Sequence, residues 1–121
     1  MSYFAAAKCK IKKEEGFRGT PYRCPNGFLT IGYGRNLDAN PLTKEEASYL
    51  LERELMSIEV DLLNFSWFYG LNDTRRIVCM DMVYQLGLKG FLRFGKMINA
   101  LVEGDYDKAA EEILDSKYAR E

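Results

Sequence analysis

The stretch EGFRGTPYRCPNGFLTIGYGR, residues 15–35, decides the fold because it is the one part of the sequence with a β-type pattern. Its Pro25-Asn26-Gly27 triplet is a strong turn signal, since glycine accepts the positive φ that such turns require. Aromatic and β-branched residues flank the triplet on both sides. This arrangement predicts a small β-hairpin over residues 17–35.

The sequence on either side of the hairpin has helical patterns. A segment rich in Ala, Lys and Glu predicts a helix from about Ala5 to Glu15, with Gly16 as its stop. Thr43 and Glu46 are spaced as a capping box. We expect a long helix to begin there, because an apolar stripe of about five turns follows.

Several short helices are expected after the long helix. Gly87 and Gly104 are natural helix stops, and Asp105 can cap the last helix. The aromatic cluster at residues 65–71 predicts core packing. The order of these elements predicts an α+β fold that is mostly helical.

We expect one domain, residues 1–121, built as two lobes. A small lobe of about residues 1–63 carries the hairpin. The long helix joins it to a helical lobe of about residues 64–121, and a cleft between the lobes is the expected ligand site.

Composition excludes several classes of function. Seventeen Lys and Arg against 18 Asp and Glu give a net charge of −1, which argues against a dedicated nucleic-acid binder. No apolar run approaches the ~18 residues of a membrane span, and no signal-peptide pattern is present. The absence of histidine excludes Ser-His-Asp and Cys-His catalysis and most zinc sites, so we expect no metal or cofactor. Three cysteines, an odd count, predict reduced thiols and a cytoplasmic origin.

Acid–base chemistry in a chain without histidine falls mainly to carboxylates. Glu15 is the best candidate, because a carboxylate at a helix C-terminus faces the negative end of the helix dipole, which favours the neutral form. The alternative is an ordinary solvated carboxylate at a helix end. The hairpin would bring Cys24 and Thr30 toward Glu15, where a hydroxyl can position water and a thiolate can attack. The alternative for Cys24 is a small buried thiol.

These residues resemble a known family. Glu15, Cys24 and Thr30, followed by Ile31-Gly32-Tyr33-Gly34-Arg35, are similar to the active-site hairpin of phage-type lysozymes. These are endolysins of the T-even phage type, glycoside hydrolase family 24, with the spacing Glu, eight residues, Asp or Cys, five residues, Thr. Two further segments resemble the same family: Leu71 to Gly87, with Arg75-Arg76 and Gln85, and Asp105-Tyr106 to Ser116-Lys117-Tyr118.

The resemblance implies a lysozyme-like fold and a muramidase that cleaves the β-1,4 bond between N-acetylmuramic acid and N-acetylglucosamine of bacterial peptidoglycan. Glu15 would protonate the glycosidic oxygen, and Thr30 would position the attacking water. Cys24 would stand where an Asp usually assists that water or stabilises the cation. Gln85, Arg35 and Asp81 would contact the substrate. Arg35 stands where the family often has His, and Asp81 stands where an Asn is common.

The resemblance also implies a biological setting. The protein would be a phage or prophage endolysin that lyses the host cell. It would act as an antimicrobial enzyme by degrading the cell wall. It would accumulate in the host cytoplasm without a signal peptide and reach the wall through holin-dependent release.

Departures from the family pattern set further expectations. A thiol replaces the second carboxylate that glycosidases usually carry. Arg35 is expected to pair with Glu15 or Asp38. The sequence ends at Glu121, before the family's last segment, which predicts weaker catalysis and an alternative function as a truncated, inactive module that binds glycan or protein. It also predicts apolar surface that a partner chain or a second copy would cover, on Tyr106, Ile113 and Tyr118.

Overall fold

The computed structural model describes residues 2–114, and it describes the side chains of residues 2–112. The fold is mostly helical with a small three-stranded antiparallel sheet, which confirms the expected α+β, lysozyme-like class. The elements are α1 (Tyr3–Glu15), β1 (Arg18–Arg23), β2 (Leu29–Gly32), β3 (Arg35–Asn36), α2 (Lys44–Leu62), α3 (Ser66–Tyr69), α4 (Asp73–Leu92), α5 (Gly95–Glu103) and α6 (Tyr106–Leu114).

The chain divides into two compact units, a first unit of Met1–Ser48 and a second unit of Tyr49–Glu121. The boundary falls within α2. The first unit therefore contains α1, the sheet and the start of the long helix, and the second contains the remaining helices.

The sheet of the first unit has the order β1-β2-β3. Tyr22 pairs with Thr30 across the predicted hairpin, and Gly27 takes a φ of 86° in its turn. The expectation of a two-stranded hairpin was incomplete, because Thr30 also pairs with Asn36 of β3. Gly32 and Gly34, both at positive φ, make the tight connection that returns the chain for this third strand.

The first helix is longer than predicted and exposes its apolar residues. Ser2 caps it by accepting a hydrogen bond from the Ala5 amide at 3.1 Å, and Gly16 ends it with a φ of 70°. No described residue of α1 is buried, and Phe4 is 74% exposed. The content of Ala, Lys and Glu thus predicted the helix correctly, and the described apolar side chains of this helix are not buried.

The capping box at the start of α2 is present as predicted. The Glu46 amide donates to Thr43 Oγ1 at 3.1 Å, and the Thr43 amide donates to Glu46 Oε1 at 2.9 Å. These two bonds satisfy backbone donors that a helix N-terminus leaves unpaired.

The second unit contains the apolar core. Phe68 and Leu71 of the predicted aromatic segment are buried there, and the Phe91 ring lies 6.2 Å from that of Trp67. Tyr69 departs from the expectation because it is 62% exposed. The buried apolar residues are Leu62, Phe68, Leu71, Cys79, Met82, Val83, Phe91, Met97, Ala100, Leu101 and Ala109.

Helix boundaries in the second unit follow the sequence signals. Asn72 caps α4, and Gly87 interrupts that helix with a φ of 76° and a ψ of 162°. Gly104 ends α5 in the left-handed conformation, and Asp105 caps α6 through the Lys108 amide. None of the helices within residues 2–114 is long and apolar enough to cross a membrane.

Of the three residues predicted to form a surface covered by a partner chain or a second copy, the structure describes the side chain of one, Tyr106. Tyr106 is half-buried, and its ring is covered by the Arg75 guanidinium at 4.1 Å. The side chain of Ile113 and the whole of Tyr118 lie outside the described part of the chain.

Candidate active site

Glu15 is the last residue of α1, and its exposed side chain extends over the turn between β2 and β3. A Cβ atom at Gly34 would lie 2.6 Å from Glu15 Oε2, closer than carbon and oxygen atoms approach. The carboxylate therefore rests directly against the Gly34 backbone, and a residue with a side chain would displace it. The sheet and the predicted acid are in contact through this glycine.

Aromatic and cationic contacts fix the end of α1 to the same turn. The Phe17 and Tyr33 rings lie 5.5 Å apart, and Lys12 Nζ lies 5.1 Å from the centre of the Tyr33 ring. Lys12 and Phe17, which make these contacts, stand on either side of Glu15 in the sequence. They hold the helix terminus on the sheet by aromatic and cation–π attraction and so limit where the carboxylate can lie.

Cys24 begins the turn that connects β1 to β2, and its thiol is half-buried. Desolvation acts to raise its pKa, but hydrogen bonds from the amides of Phe28, Asn26 and Gly27 act against it. A further hydrogen bond involves the Thr30 hydroxyl, and the net result is a pKa below the ordinary thiol value. The turn thus stabilises the thiolate relative to an ordinary thiol, as clustered backbone N–H groups stabilise other anions.

Thr30 is the buried residue of this group, with 4% of its surface exposed. Its hydroxyl donates to the Phe28 carbonyl oxygen at 2.9 Å, and it also lies within reach of Cys24. Because a hydroxyl carries one proton, Thr30 cannot donate to the Phe28 carbonyl oxygen and to the sulfur at the same time. Thr30 can turn its proton to Cys24 when the sulfur is ionised, and its lone pairs remain available to water.

Arg35 has a different partner from the expected Glu15 or Asp38. Its guanidinium forms a two-pronged ion pair with Glu46, one bond being 2.9 Å, and it also donates to the Asn40 and Pro41 carbonyl oxygens. The hydrogen bond from Arg35 lowers the pKa of Glu46 to about 2. The expected pairing was wrong because Glu46 is fixed nearby by its own role in the capping box.

Two other candidate residues lie on the second unit. Asp81 and Gln85, both exposed on α4, line one groove of about 370 Å³. The groove is otherwise mostly apolar, and Tyr84 adds a hydroxyl to it. It therefore offers a few polar groups on an apolar surface, as small-molecule and sugar-binding sites commonly do.

A second cavity of the same unit is smaller, about 130 Å³, and it lies among α4, α5 and α6. Cys79 lines it, and burial raises the pKa of this thiol to about 11. Such a thiol stays protonated at neutral pH and contributes packing rather than chemistry. No group of three or more metal-ligating side chains occurs among residues 2–112.

Three contacts of the site were missed by reasoning from sequence. The sequence placed Gly34 only within the motif that resembles the lysozyme hairpin, Glu46 only in a capping box, and Asp38 only as an expected partner of Arg35. A glycine directly after a strand can signal a close approach to its backbone. Nothing in the local sequence indicates that Asp38 would accept a hydrogen bond from the Leu29 amide at 2.8 Å.

This combination of a helix-end glutamate, a small sheet and a helical unit belongs to the lysozyme-like class of α+β proteins. The family model for phage lysozymes matches residues 12–121, and the chain belongs to that family. The match includes every candidate site residue.

Two relatives show similarity over most of this chain. The pre-baseplate central spike protein Gp5 of Enterobacteria phage T4 is 28% identical over 136 residues, covering 88% of this chain but 24% of the spike protein. An endolysin of Acyrthosiphon pisum secondary endosymbiont phage 1 is 28% identical over 107 residues, covering 86% of this chain and 72% of the endolysin. The chain thus spans about a quarter of the first relative's length and most of the second's.

Proposed function

We propose that the protein is a muramidase that hydrolyses the β-1,4 bond between N-acetylmuramic acid and N-acetylglucosamine in peptidoglycan. One observation carries the proposal: the Glu15 carboxylate rests on the Gly34 backbone, in a turn of the same small sheet whose strand β2 contains Thr30 and whose other turn begins at Cys24. Membership of the phage lysozyme family supports a cell-wall substrate.

The proposed reaction uses Glu15 as the general acid. Its proton passes to the glycosidic oxygen as the bond from that oxygen to the anomeric carbon breaks. Water adds to the anomeric carbon and loses a proton, and Thr30 accepts a hydrogen bond that orients the water. Cys24, when ionised, supplies negative charge near the developing cation and can accept the proton that the water loses.

Substrate contacts are proposed for the groove of the second unit. Gln85 and Asp81 would hydrogen-bond sugar hydroxyl or amide groups, and the apolar lining would contact sugar faces. Arg35 has less capacity for substrate, because Glu46 and two carbonyl oxygens already accept its hydrogen bonds. Gln85 and Asp81 are therefore the principal residues proposed to bind substrate, and Arg35 would add a weaker substrate contact.

The endolysin relative supports a role in host lysis, for which we propose holin-dependent release. The spike-protein relative favours a second setting, in which a lysozyme module forms part of a larger phage protein. Both settings use the same hydrolytic reaction.

The first experiment measures reducing-end release from purified Gram-negative peptidoglycan by the parent and by Glu15→Gln. Loss of the general acid should lower the rate by a factor of about 10²–10⁴. Glu14→Gln is the matched control, because Glu14 is the neighbouring exposed carboxylate and contacts Lys10 instead of the sheet. Its rate should stay within about twofold of the parent.

A folded parent that sediments with peptidoglycan but releases no reducing ends would contradict the proposal. The alternative of an inactive binding module would then explain both results. Equal loss of activity in Glu14→Gln and Glu15→Gln would remove Glu15 from the acid role.

A further inference from the structure

The loop after β3 returns to the turn that carries Cys24. Asp38, in this loop, accepts a hydrogen bond from the Leu29 amide through Oδ2 at 2.8 Å. Leu29 is the first residue of β2 and directly follows the turn. The adjacent Leu37 amide donates to the Leu29 carbonyl oxygen at 2.7 Å, so the loop holds Leu29 by both backbone groups.

Arg23 reaches the same turn from the other strand. It is the last residue of β1, and its Nη1 donates to the Gly27 carbonyl oxygen at 3.2 Å. The same nitrogen lies 3.8 Å from Asp38 Oδ2. Arg23, at the start of the turn, therefore holds its middle at Gly27, and Asp38 holds its end at Leu29.

The geometry of this turn determines what surrounds the Cys24 sulfur. Cys24 and Phe28 are joined across it by the bond from the Cys24 amide to the Phe28 carbonyl oxygen at 3.0 Å, and the Gly27 amide donates to the Cys24 carbonyl oxygen at 2.8 Å. The amides of this turn and the Thr30 hydroxyl, one residue after Leu29, are also the groups that lower the pKa of the Cys24 thiol. A shift of Leu29 would move these donors together.

The two parts of the Asp38 contact differ in strength. Side chains of Arg23 and Asp38 are 68% and 49% exposed, and a solvated pair at 3.8 Å contributes little. The bond from the Leu29 amide is short and well within hydrogen-bond distance at 2.8 Å, which makes it the stronger contact. Loss of the oxygen acceptor at position 38 should therefore disturb the turn more than loss of the negative charge of Asp38.

We infer that Asp38 is a positioning residue that, by holding Leu29, fixes the Cys24–Leu29 turn and with it the position and surroundings of the Cys24 thiol. The inference rests on the proposed function for its catalytic consequence. Its structural content, the environment of the thiol, can be measured without any hydrolysis.

The experiment compares Asp38→Ala with Asp38→Asn in a Cys9→Ser background, because Cys9 is the other exposed thiol and Cys79 is buried. Iodoacetamide alkylation of Cys24 is followed against pH, and reducing-end release is measured in parallel. Asp38→Ala should slow alkylation at neutral pH by about three- to tenfold, since the thiolate fraction falls as the pKa rises.

Hydrolysis gives the second readout. We expect Asp38→Ala to lower kcat by about ten- to a hundredfold with little change in KM, the result of misplaced reacting groups. Asp38→Asn retains an oxygen acceptor for Leu29 and should behave as the parent in both assays. Glu54→Ala, an exposed carboxylate on α2, controls for the loss of one negative charge.

Parent-like alkylation in a folded Asp38→Ala variant would overturn the inference, and so would equal effects of Ala and Asn. If Asp38→Ala does not fold, Asp38→Glu decides, because it keeps the charge but carries its oxygens one methylene group farther along the side chain than the position bonded by the Leu29 amide. It should slow alkylation by a smaller factor, and parent-like alkylation in this variant would overturn the inference. A parent that alkylates as expected but hydrolyses nothing would contradict the proposed function alone.

Discussion

The first unit has Thr30 as its one buried residue among those described, whereas the second unit holds every buried apolar side chain of the described chain. In the first unit, charged and hydrogen-bonded side chains connect the segments, including the two ion pairs Arg23–Asp38 and Arg35–Glu46. In the second unit, aliphatic and aromatic side chains of α4 and α5 form the connections. The contrast shows that this chain separates its candidate chemistry from its apolar core.

The separation has a physical reason. A reacting carboxylate and thiolate need solvent access and directed hydrogen bonds, which an apolar core cannot provide. Polar contacts fix directions well but contribute little stability when they are exposed. The two units should therefore respond differently to truncation, crowding and acid.

The largest expected effect is a loss of stability in the second unit. Phe91 is fully buried against Trp67, and Phe91→Ala should lower the free energy of unfolding by about 3–5 kcal/mol. Phe28→Ala makes the same truncation in the first unit, where that ring is 45% exposed, and should cost less than about 1 kcal/mol. Denaturant unfolding gives both values.

Equal destabilisation by the two substitutions would break the comparison, because it would show that exposed aromatic residues of the first unit support folding as strongly as the core. Denaturant unfolding also gives the dependence of the free energy of unfolding on denaturant concentration. If this slope changes in one variant, the two units unfold separately.

A smaller but more specific effect is expected from crowding Glu15. Gly34→Ala places a methyl group where the Glu15 carboxylate lies, and displacement of the acid should lower kcat by about tenfold or more. Gly32→Ala is the matched control, because Gly32 has a similar φ of 70° but nothing within 4 Å of the added Cβ. Both should lose about 1–2 kcal/mol of stability from the backbone conformation.

The pair separates strain from displacement. If kcat falls equally in both variants, backbone strain explains the loss and the contact between Glu15 and Gly34 has no role. If kcat falls in neither, the carboxylate tolerates a new position, and the geometry of the candidate site is looser than the close approach suggests.

Features set by neighbouring residues were predictable from the sequence. Gly16 and Gly104 end helices as expected, and Thr43 with Glu46 forms the capping box. These signals act within four or five residues, so no knowledge of the fold is needed. The family resemblance, carried by Glu15 and two residues of the hairpin, was likewise visible in the spacing.

Contacts between distant segments were not predictable in the same way. Arg35 faced several carboxylates in the sequence, and only the fold shows that Glu46 is its partner. The exposed apolar side chains of α1 show the same limit, since periodicity predicts a helix face but not what covers it. The short strand β3 has two residues and too little pattern to be recognised.

The smallest effect expected is the acid response of the Arg35–Glu46 pair. The pKa of Glu46 is lowered from 4.5 to about 2 in the folded protein, so this carboxylate stabilises the fold above pH 4.5. That contribution should disappear as the pH falls from about 4.5 to 2. Glu46→Gln should be less stable than the parent at pH 7, and the two should converge near pH 2, as measured by thermal unfolding across this range.

Glu45→Gln tests whether the response belongs to the ion pair. Glu45 occupies the same first turn of α2 and has the same charge, but it is Glu46 that accepts the hydrogen bonds from Arg35 and from the Thr43 amide. A constant difference between Glu46→Gln and the parent from pH 7 to pH 2 would assign the loss to packing or capping. An equal pH response in Glu45→Gln would assign it to the helix dipole. Convergence in Glu46→Gln alone would show that a directed polar contact, in place of an apolar core, supports the loop leading from the sheet to α2.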